Sequence, residues 1–170
     1  WNLGTSDEIS ALVGHSSAVN GVAFSPDGQI LVSGSADKTI KLWNLGTGEE
    51  TRKLEGHKLG VSAVAFSPDG QILASGSADK TIKLWNLGTG EELILPALRA
   101  AVNAIAFSPD GKLLAIATED KLLKLWDLEA AAEIYAICGY AWQVGAIAIS
   151  PDGQTLASGS QDKTIKLWQL

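Results

Sequence analysis

Four residues near the start of the chain combine types that occur together in enzyme active sites: His15, Ser35, Asp37 and Trp43. In serine hydrolases a histidine takes the proton of a serine nucleophile, and an aspartate orients that histidine. The sequence lacks the Gly-x-Ser-x-Gly turn that exposes the nucleophile in many hydrolases. The same residues also suit a structural role, because an indole N–H and a carboxylate both need hydrogen-bond partners when they are buried. We expect this structural role and no enzyme activity.

The same four types occur again 42 residues later, as His57, Ser77, Asp79 and Trp85. Tryptophans stand at positions 1, 43, 85, 126 and 168, which are 42, 42, 41 and 42 residues apart. A fixed period of this length is typical of propellers and other repeat proteins. The candidate residues therefore belong to a repeating structural unit.

The first two complete repeats are nearly the same sequence. Residues 23–50 and 65–92 differ only at Val32 and Ala74. The later two repeats have diverged but keep the Ser-Pro-Asp-Gly segment and the tryptophan. We interpret the chain as a single domain, 1–170, whose repeats cover residues 4–45, 46–87, 88–128 and 129–170.

Each repeat predicts four short β-strands. In the second repeat, apolar or alternating runs at residues 61–66, 72–77, 81–85 and 91–95 are separated by turn sequences such as Ser-Pro-Asp-Gly. No segment has a convincing helical period. Four antiparallel strands in a unit of this length predict an all-β fold built from propeller blades.

The repeats resemble those of the WD-repeat β-propeller family. The motifs that carry the resemblance are Gly-His at 14–15 and 56–57, SGSADKTIKLWN ending at Asn44 and Asn86, and Trp-Asp at 126–127. The resemblance implies four blades per chain, with each repeat supplying the outermost strand of one blade and three inner strands of the next. It also implies that histidine, serine, aspartate and tryptophan tie the strands of a blade together, with Ser33 as an alternative to Ser35.

The third and fourth repeats depart from that pattern at the histidine position. Leu98 stands there in the third repeat and Tyr140 in the fourth. The remaining positions hold Thr118, Asp120 and Trp126 in the third repeat, and Ser160, Asp162 and Trp168 in the fourth. We expect an incomplete hydrogen-bonded chain in the third repeat, an altered one in the fourth, and the lowest stability in the third blade.

Partners of this family usually bind the face formed by the loops before the innermost strand and after the second strand, here called the loop face. Most loop-face residues are small, and the exceptions are Leu59, Arg99, Glu119 and Trp142. Trp142 is out of register with the repeats, and tryptophan and arginine are typical of interface hot spots. Alternatively, Trp142 and Tyr140 fill the space left by the missing histidine.

Composition excludes several classes of function. With 19 acidic and 13 basic residues the net charge is -6, which disfavours binding to nucleic acid or to an anionic membrane. One cysteine and two histidines cannot form a Cys/His zinc cluster, and we expect no cofactor. The amino end shows no signal peptide, so we expect a soluble protein that is cytoplasmic rather than secreted.

The two ends of the chain are expected to complement each other. Residues 8–13 predict an outermost strand with no inner strands before it, and the last blade, ending at residues 164–170, lacks its outermost strand. Four blades would close only at a much larger angle than is usual for this blade type, whereas two copies supply eight. We therefore expect a homodimer closed by strand exchange through residues 8–13 and 164–170.

These observations favour a non-enzymatic scaffold that assembles with itself and offers its loop face to protein segments. A second hypothesis is an engineered or excised propeller fragment with no partner beyond itself, which the near-identity of two repeats and the lack of methionine favour. A third hypothesis is a small-ligand binder or enzyme that uses the axial channel, although no clustered acids or unpaired nucleophile point to a reaction.

Overall fold

The computed structural model describes residues 11–170, in which fifteen β-strands form four separate sheets. Blade 1 consists of β1 (Val19–Phe24), β2 (Ile30–Ser35), β3 (Ile40–Asn44) and β4 (Glu50–Leu54). Blade 2 consists of β5 (Val61–Phe66), β6 (Ile72–Ser77), β7 (Ile82–Asn86) and β8 (Glu92–Ile94). Blade 3 consists of β9 (Val102–Phe107), β10 (Leu113–Thr118), β11 (Leu123–Asp127) and β12 (Ala132–Ile137). Blade 4 consists of β13 (Val144–Ile149), β14 (Thr155–Ser160) and β15 (Ile165–Gln169).

Every sheet is a simple antiparallel meander in chain order. The all-β prediction is confirmed, as is the arrangement in which one repeat spans two blades. Strand β4, for example, pairs with β3 of blade 1, although both β4 and β5 belong to the repeat at 46–87. Blade 4 has three strands within the described residues, and β15 has no partner on its outer side.

Tight turns join the strands at the end of each blade opposite the loop face. In the first Ser-Pro-Asp-Gly turn, Gly28 N donates to Ser25 O at 2.9 Å, and Ser25 Oγ donates to Asp27 Oδ1 at 2.5 Å. Gly28 has φ +69°, a left-handed conformation that glycine adopts at little cost. The turn sequence thus determines the hairpin between the first two strands of each blade.

The blades stack side by side through apolar residues on their facing surfaces. Strand β1 contacts β5, β5 contacts β9, and β9 contacts β13, so these four strands form the inner side of the array. Close packing depends on a glycine in the second strand of the blade. A Cβ on Gly76 would lie 2.3 Å from Val102 Cγ1 of the next blade. Three buried clusters fill the three junctions between neighbouring blades.

The 41-residue spacing between Trp85 and Trp126 is explained by the outermost strands. In blade 1, Leu42 pairs with Arg52 and Trp43 pairs with Glu50, so that Thr51 forms a β-bulge. In blade 2, Leu84 pairs with Leu93 and Trp85 pairs with Glu92, without a bulge. The deleted residue is therefore the bulge residue, and Leu93 occupies the strand position that Arg52 has in blade 1.

The outermost strand predicted over residues 8–13 lies largely outside the described residues. Of that segment, residues 11–13 belong to no strand.

Candidate functional site

The His–Asp–Ser–Trp constellation of blade 1 is a continuous hydrogen-bonded chain. His15 Nδ1 lies 2.8 Å from Asp37 Oδ2, and His15 Nε2 lies 2.7 Å from Ser33 Oγ. The indole Nε1 of Trp43 donates to the same Ser33 oxygen at 2.8 Å. The chain joins the segment before β1 to β2, β3 and the turn between them.

Donor chemistry assigns the protons of this chain. The Asp37 carboxylate is an acceptor, so His15 Nδ1–H donates to it and leaves Nε2 as an acceptor. Ser33 then donates its hydroxyl proton to Nε2 while accepting from Trp43. The tautomer is that of a hydrolase triad, but the Ser33 residue is only 4% exposed and its oxygen is occupied by the indole. The Ser33 hydroxyl is therefore buried and already hydrogen bonded to both His15 and Trp43.

Blade 2 repeats the chain with the same connectivity. His57 Nδ1 lies 3.1 Å from Asp79 Oδ2, and Ser75 Oγ bridges His57 Nε2 and Trp85 Nε1, each at 2.8 Å. Ser75 is fully buried. Asp79 also accepts from Lys58 N at 2.7 Å, so its carboxylate anchors the loop before β5.

The titration of Asp79 and His57 reflects this environment. Burial alone would raise the pKa of Asp79, but hydrogen bonds from Thr81, Lys58 N and His57 outweigh it and lower the pKa from 3.8 to about 2. Burial lowers the pKa of His57 below its usual 6.5, and the neighbouring Asp79 offsets only part of that effect. A neutral imidazole beside an ionised carboxylate is therefore the state that the fold favours.

The serines assigned from the sequence, Ser35 and Ser77, are not the ones in the chain, and that assignment is wrong. Ser33 and Ser75 occupy the bridging position. Residues two apart on a strand share a face, so periodicity could not separate the two candidates. Ser35 Oγ instead donates to Ser17 O at 3.3 Å and accepts from Asp37 N at 3.0 Å, which braces the turn.

In blade 3 the hydrogen-bonded chain lacks two of its four side chains. Leu98 replaces the histidine, and Ile116 replaces the bridging serine. The indole Nε1 of Trp126 is buried without a partner and is the one such side-chain atom in the part of the chain that the structure describes. Asp120 accepts from Thr118 Oγ1 at 2.5 Å and is exposed. The sequence alone showed that blade 3 lacks the histidine. The missing serine could be recognised only after the structure had identified Ser33, rather than Ser35, as the bridging residue.

In blade 4 a tyrosine takes the place of the histidine. The hydroxyls of Tyr140 and Ser158 are hydrogen bonded, and Trp168 Nε1 lies 2.9 Å from Tyr140 Oη and 3.0 Å from Ser158 Oγ. Tyr140 is buried, so it fills the histidine space as the alternative hypothesis anticipated. Trp142 does not fill that space, because it is 61% exposed.

The loop face brings two of the four candidate partner-binding residues together. Glu119 and Trp142 line one cavity of about 390 Å³ at the junction of blades 3 and 4, together with Lys121, Gln143 and Gln161. Leu59 and Arg99 are also exposed but are not part of this cavity. The cavity combines an exposed indole with a carboxylate, an ammonium and two amides.

Residues 11–170 contain neither a metal-binding cluster nor a membrane-spanning helix. No group of three or more His, Cys, Asp or Glu side chains in that range is placed to hold a metal ion. The same range contains no helix of the length and apolarity that a membrane crossing requires.

Comparison with known proteins gives one match over the whole chain and two over short stretches. The family model described as the IFT122 first beta-propeller matches residues 1–170. A stretch of 43 residues, 25% of this chain, is 51% identical to Ribosome assembly protein 4 of Saccharomyces cerevisiae and covers 8% of that protein. A stretch of 32 residues, 19% of this chain, is 62% identical to Protein Mut11 of Chlamydomonas reinhardtii and covers 9% of it. Both matches thus span less than a tenth of the relative's length.

Proposed function

The chain belongs to the WD-repeat β-propellers of the IFT122 first-propeller family, and from this premise we propose that it is a non-enzymatic scaffold that closes with a second copy of itself into an eight-bladed ring. In this proposal the loop face around Trp142 receives a protein segment. The observation that carries the proposal is the exposure of apolar residues on the two end blades, at positions that are buried or half-buried at every internal junction.

The first end face belongs to blade 1 and consists of Val19, Val22 and Phe24, all exposed. Val22 is 60% exposed, whereas Val64, at the same position of blade 2, is 8% exposed. Val64 is buried because it packs in the cluster between blades 1 and 2. The face of blade 1 therefore has the residues of a blade junction but no neighbouring blade.

The second end face belongs to blade 4 and includes Ile165 and Leu167. Leu167 is 70% exposed, whereas Leu42, at the same position of blade 1, is 3% exposed. At the junction of blades 1 and 2, Ile40 and Leu42 lie in one cluster with Val61 and Val64. A second copy that placed its blade 1 against blade 4 would reproduce that cluster with the two exposed faces.

The free edge of β15 supports strand exchange in the same assembly. Its outer N–H and C=O groups lack a strand partner within the described residues, and each backbone bond contributes about 0.5–1.5 kcal/mol net. We assign residues 8–13 of the second copy to this edge, as outermost strand beside residues 164–170. Two copies meet at two equivalent seams, so the ring is closed and every blade has its outermost strand.

Solution mass tests the assembly. We expect light scattering to give twice 17.8 kDa for the intact chain. The single-chain mass or a three-chain mass would contradict an eight-bladed ring. Removal of residues 1–13 isolates the strand exchange, because it leaves both apolar faces intact; an unchanged dimer stability after this removal would rule out exchange.

Two charge variants test the pairing of the faces. Val22→Asp and Leu167→Asp should each abolish the dimer, since each damages one side of both seams. An equimolar mixture should recover the two-chain mass, because one seam then joins two unaltered faces. Circular dichroism should show each variant folded, since both residues are exposed in the single chain. A mixture that stays at the single-chain mass would contradict head-to-tail pairing.

The absence of enzyme activity is proposed from the environment of the triad-like residues. The two bridging serines are buried, and each accepts an indole proton. Ser33→Ala should therefore lower stability without removing any hydrolase activity. Esterase turnover that disappears in Ser33→Ala while the variant stays folded would overturn this part of the proposal.

A second candidate is an excised or engineered fragment whose only partner is itself. The identity of residues 23–50 and 65–92 at all but one position favours it. Selection of a displayed peptide library on the intact chain separates the two candidates. Peptides that lose binding to Trp142→Ala but not to Leu59→Ala would support the Trp142 cavity, whereas a selection without specific binders would favour the fragment.

A further inference from the structure

The junctions between blades also form grooves at the end opposite the loop face, between the Ser-Pro-Asp-Gly turns and the turns after the third strands. The groove between blades 2 and 3, here called groove 2–3, encloses about 590 Å³. Its apolar wall includes Leu84, Leu93, Phe107 and Leu128, and its polar rim includes Asn86 and Glu91. The groove lies within one chain, so closure of the ring leaves it open.

The equivalent groove between blades 1 and 2 is filled by the chain's own Arg52. Its Nη1 donates to Leu87 O in the next blade at 3.0 Å. Its Nη2 lies 3.3 Å from the place where a Cβ on Gly90 would stand. The side chain thus crosses from the outermost strand of blade 1 to the turn of blade 2, with its guanidinium against that turn.

Groove 2–3 has the same walls but lacks this side chain. Leu93 occupies the strand position of Arg52, because both pair with the equivalent leucine of the third strand. Leu128 is equivalent to Leu87, and no hydrogen bond to its carbonyl oxygen is found among residues 11–170. A backbone acceptor and the volume of an arginine side chain are therefore both available.

Among the residues that line the two grooves, the charges differ by that one cation; Lys112 and Glu129, which stand beside groove 2–3 in place of Gln71 and Gly88, pair with each other at 3.3 Å. Glu91 of groove 2–3 is equivalent to Glu49, so the exposed acid is kept where the arginine is lost. Glu92 does not compensate, because it is paired with Lys83. Arginine suits this site better than lysine, since its planar guanidinium can donate to a carbonyl and a carboxylate at once.

The groove between blades 3 and 4 lacks this combination. Its cavity of about 270 Å³ is lined by Tyr135, Ile137, Trp168 and Leu170. Tyr135 pairs with Leu125 and so stands at the Arg52 position, while Ala132 replaces the exposed acid. Of the three grooves within the described residues, groove 2–3 alone joins an empty arginine position to an exposed acid, Glu91, which accepts from Thr89 Oγ1 at 3.1 Å but has no cationic partner.

We propose that groove 2–3 binds an arginine side chain from a protein segment of a partner. The guanidinium donates to Leu128 O and lies near Glu91, while its aliphatic stem packs on Leu84, Leu93 and Phe107. Ala131, which replaces Gly90 and has φ +51°, places a Cβ beside the guanidinium and narrows that end of the groove.

Titration of the isotope-labelled intact chain with acetyl-Ala-Arg-Ala-amide tests the proposal by NMR. We expect saturable shifts of the amides of Leu93, Gly111 and Leu128. The citrulline peptide, which has the same shape without the charge, should bind about tenfold more weakly, since charge-assisted hydrogen bonds are roughly twice as strong as neutral ones. Equal binding of the two peptides, or shifts elsewhere only, would overturn the proposal.

Three variants locate the site. Leu93→Arg should fill the groove from within and abolish the shifts, whereas the matched Leu93→Met variant should keep them. Arg52→Leu should open the first groove and add a second set of shifts at Gly70 and Leu87. Ala131→Gly should tighten binding a fewfold. Peptide binding that survives Leu93→Arg, or an Arg52→Leu variant with no second site, would contradict the assignment. Trp142→Ala should leave all these results unchanged, which separates this site from the loop face.

Discussion

The indole Nε1 of Trp126 is buried without a hydrogen-bond partner because Ile116 stands where Ser33 and Ser75 accept the indole proton in blades 1 and 2. Trp126 and Ile116 lie in the same buried cluster. Three of the four blades therefore satisfy their tryptophan with an oxygen, and one does not. An unpaired buried donor costs about 1–3 kcal/mol, so blade 3 carries a local defect.

Replacement of the tryptophans should reveal this defect. Trp85→Phe removes an N–H that is hydrogen bonded and leaves Ser75 Oγ without that donor. We expect the free energy of unfolding to fall by about 1–3 kcal/mol beyond the effect of the changed packing. Trp126→Phe removes an unpaired donor and should cost less by about 1 kcal/mol or more. Chemical denaturation of both variants measures the difference. Equal losses would mean that Trp126 gains as much from its N–H as Trp85 does.

Replacement of the aspartate should likewise cost more stability in blade 2 than in blade 3. Asp79→Ala removes an acceptor that binds His57, Lys58 N and Thr81, and should cost about 1–3 kcal/mol. Asp120→Ala should cost less, because the exposed Asp120 is hydrogen bonded to Thr118 and blade 3 has no histidine to hold. Thermal melts compare the two variants, and similar shifts in melting temperature would contradict the role assigned to the histidine.

Acid should destabilise the folded protein because it protonates Asp79. The pKa of this group is about 2 in the fold against 3.8 for an ordinary aspartate, so its contribution is complete above pH 3.8 and is lost as pH falls toward 2. His57 also makes the protein less stable as pH falls, but this begins below about pH 6.5. Its pKa is lowered in the fold, so protonation of the imidazole favours the unfolded state. Urea unfolding of the intact chain should therefore lose stability between about pH 4 and 2 more steeply than that of Asp79→Asn. Parallel profiles would exclude Asp79 as the source.

Trp142→Ala should leave the melting temperature nearly unchanged, because the indole is exposed and Tyr140 alone fills the histidine space. Tyr140→Phe is the matched contrast, since it removes the hydroxyl that accepts from Trp168. Thermal melts should show a clear loss for Tyr140→Phe only. A large loss in Trp142→Ala would assign that residue to packing rather than to recognition.

Local patterns in the sequence predicted most of the fold. The strands over 61–66 and 72–77 have the predicted bounds, because the apolar runs end at turn residues whose conformations are set locally. The third strand begins at Ile82 rather than at Thr81, since Thr81 hydrogen bonds to Asp79 in the turn. The bridging serine could not be chosen, because Ser33 and Ser35 lie on one face of their strand and only the position of the indole separates them.

The sequence by itself determined the repeat, the strands, the turns and the residue types that can form the hydrogen-bonded chain, since all of these depend on neighbours within about 42 residues. The tertiary structure alone decided which identical residues are buried. Phe24 and Phe66 lie in identical local sequences. Phe24 is nevertheless exposed, whereas Phe66 packs against the cluster between blades 1 and 2. A residue on the face of a blade is buried only where a neighbouring blade covers it. The exposed end faces and the empty arginine position could therefore be recognised only from the arrangement of the blades in the tertiary structure.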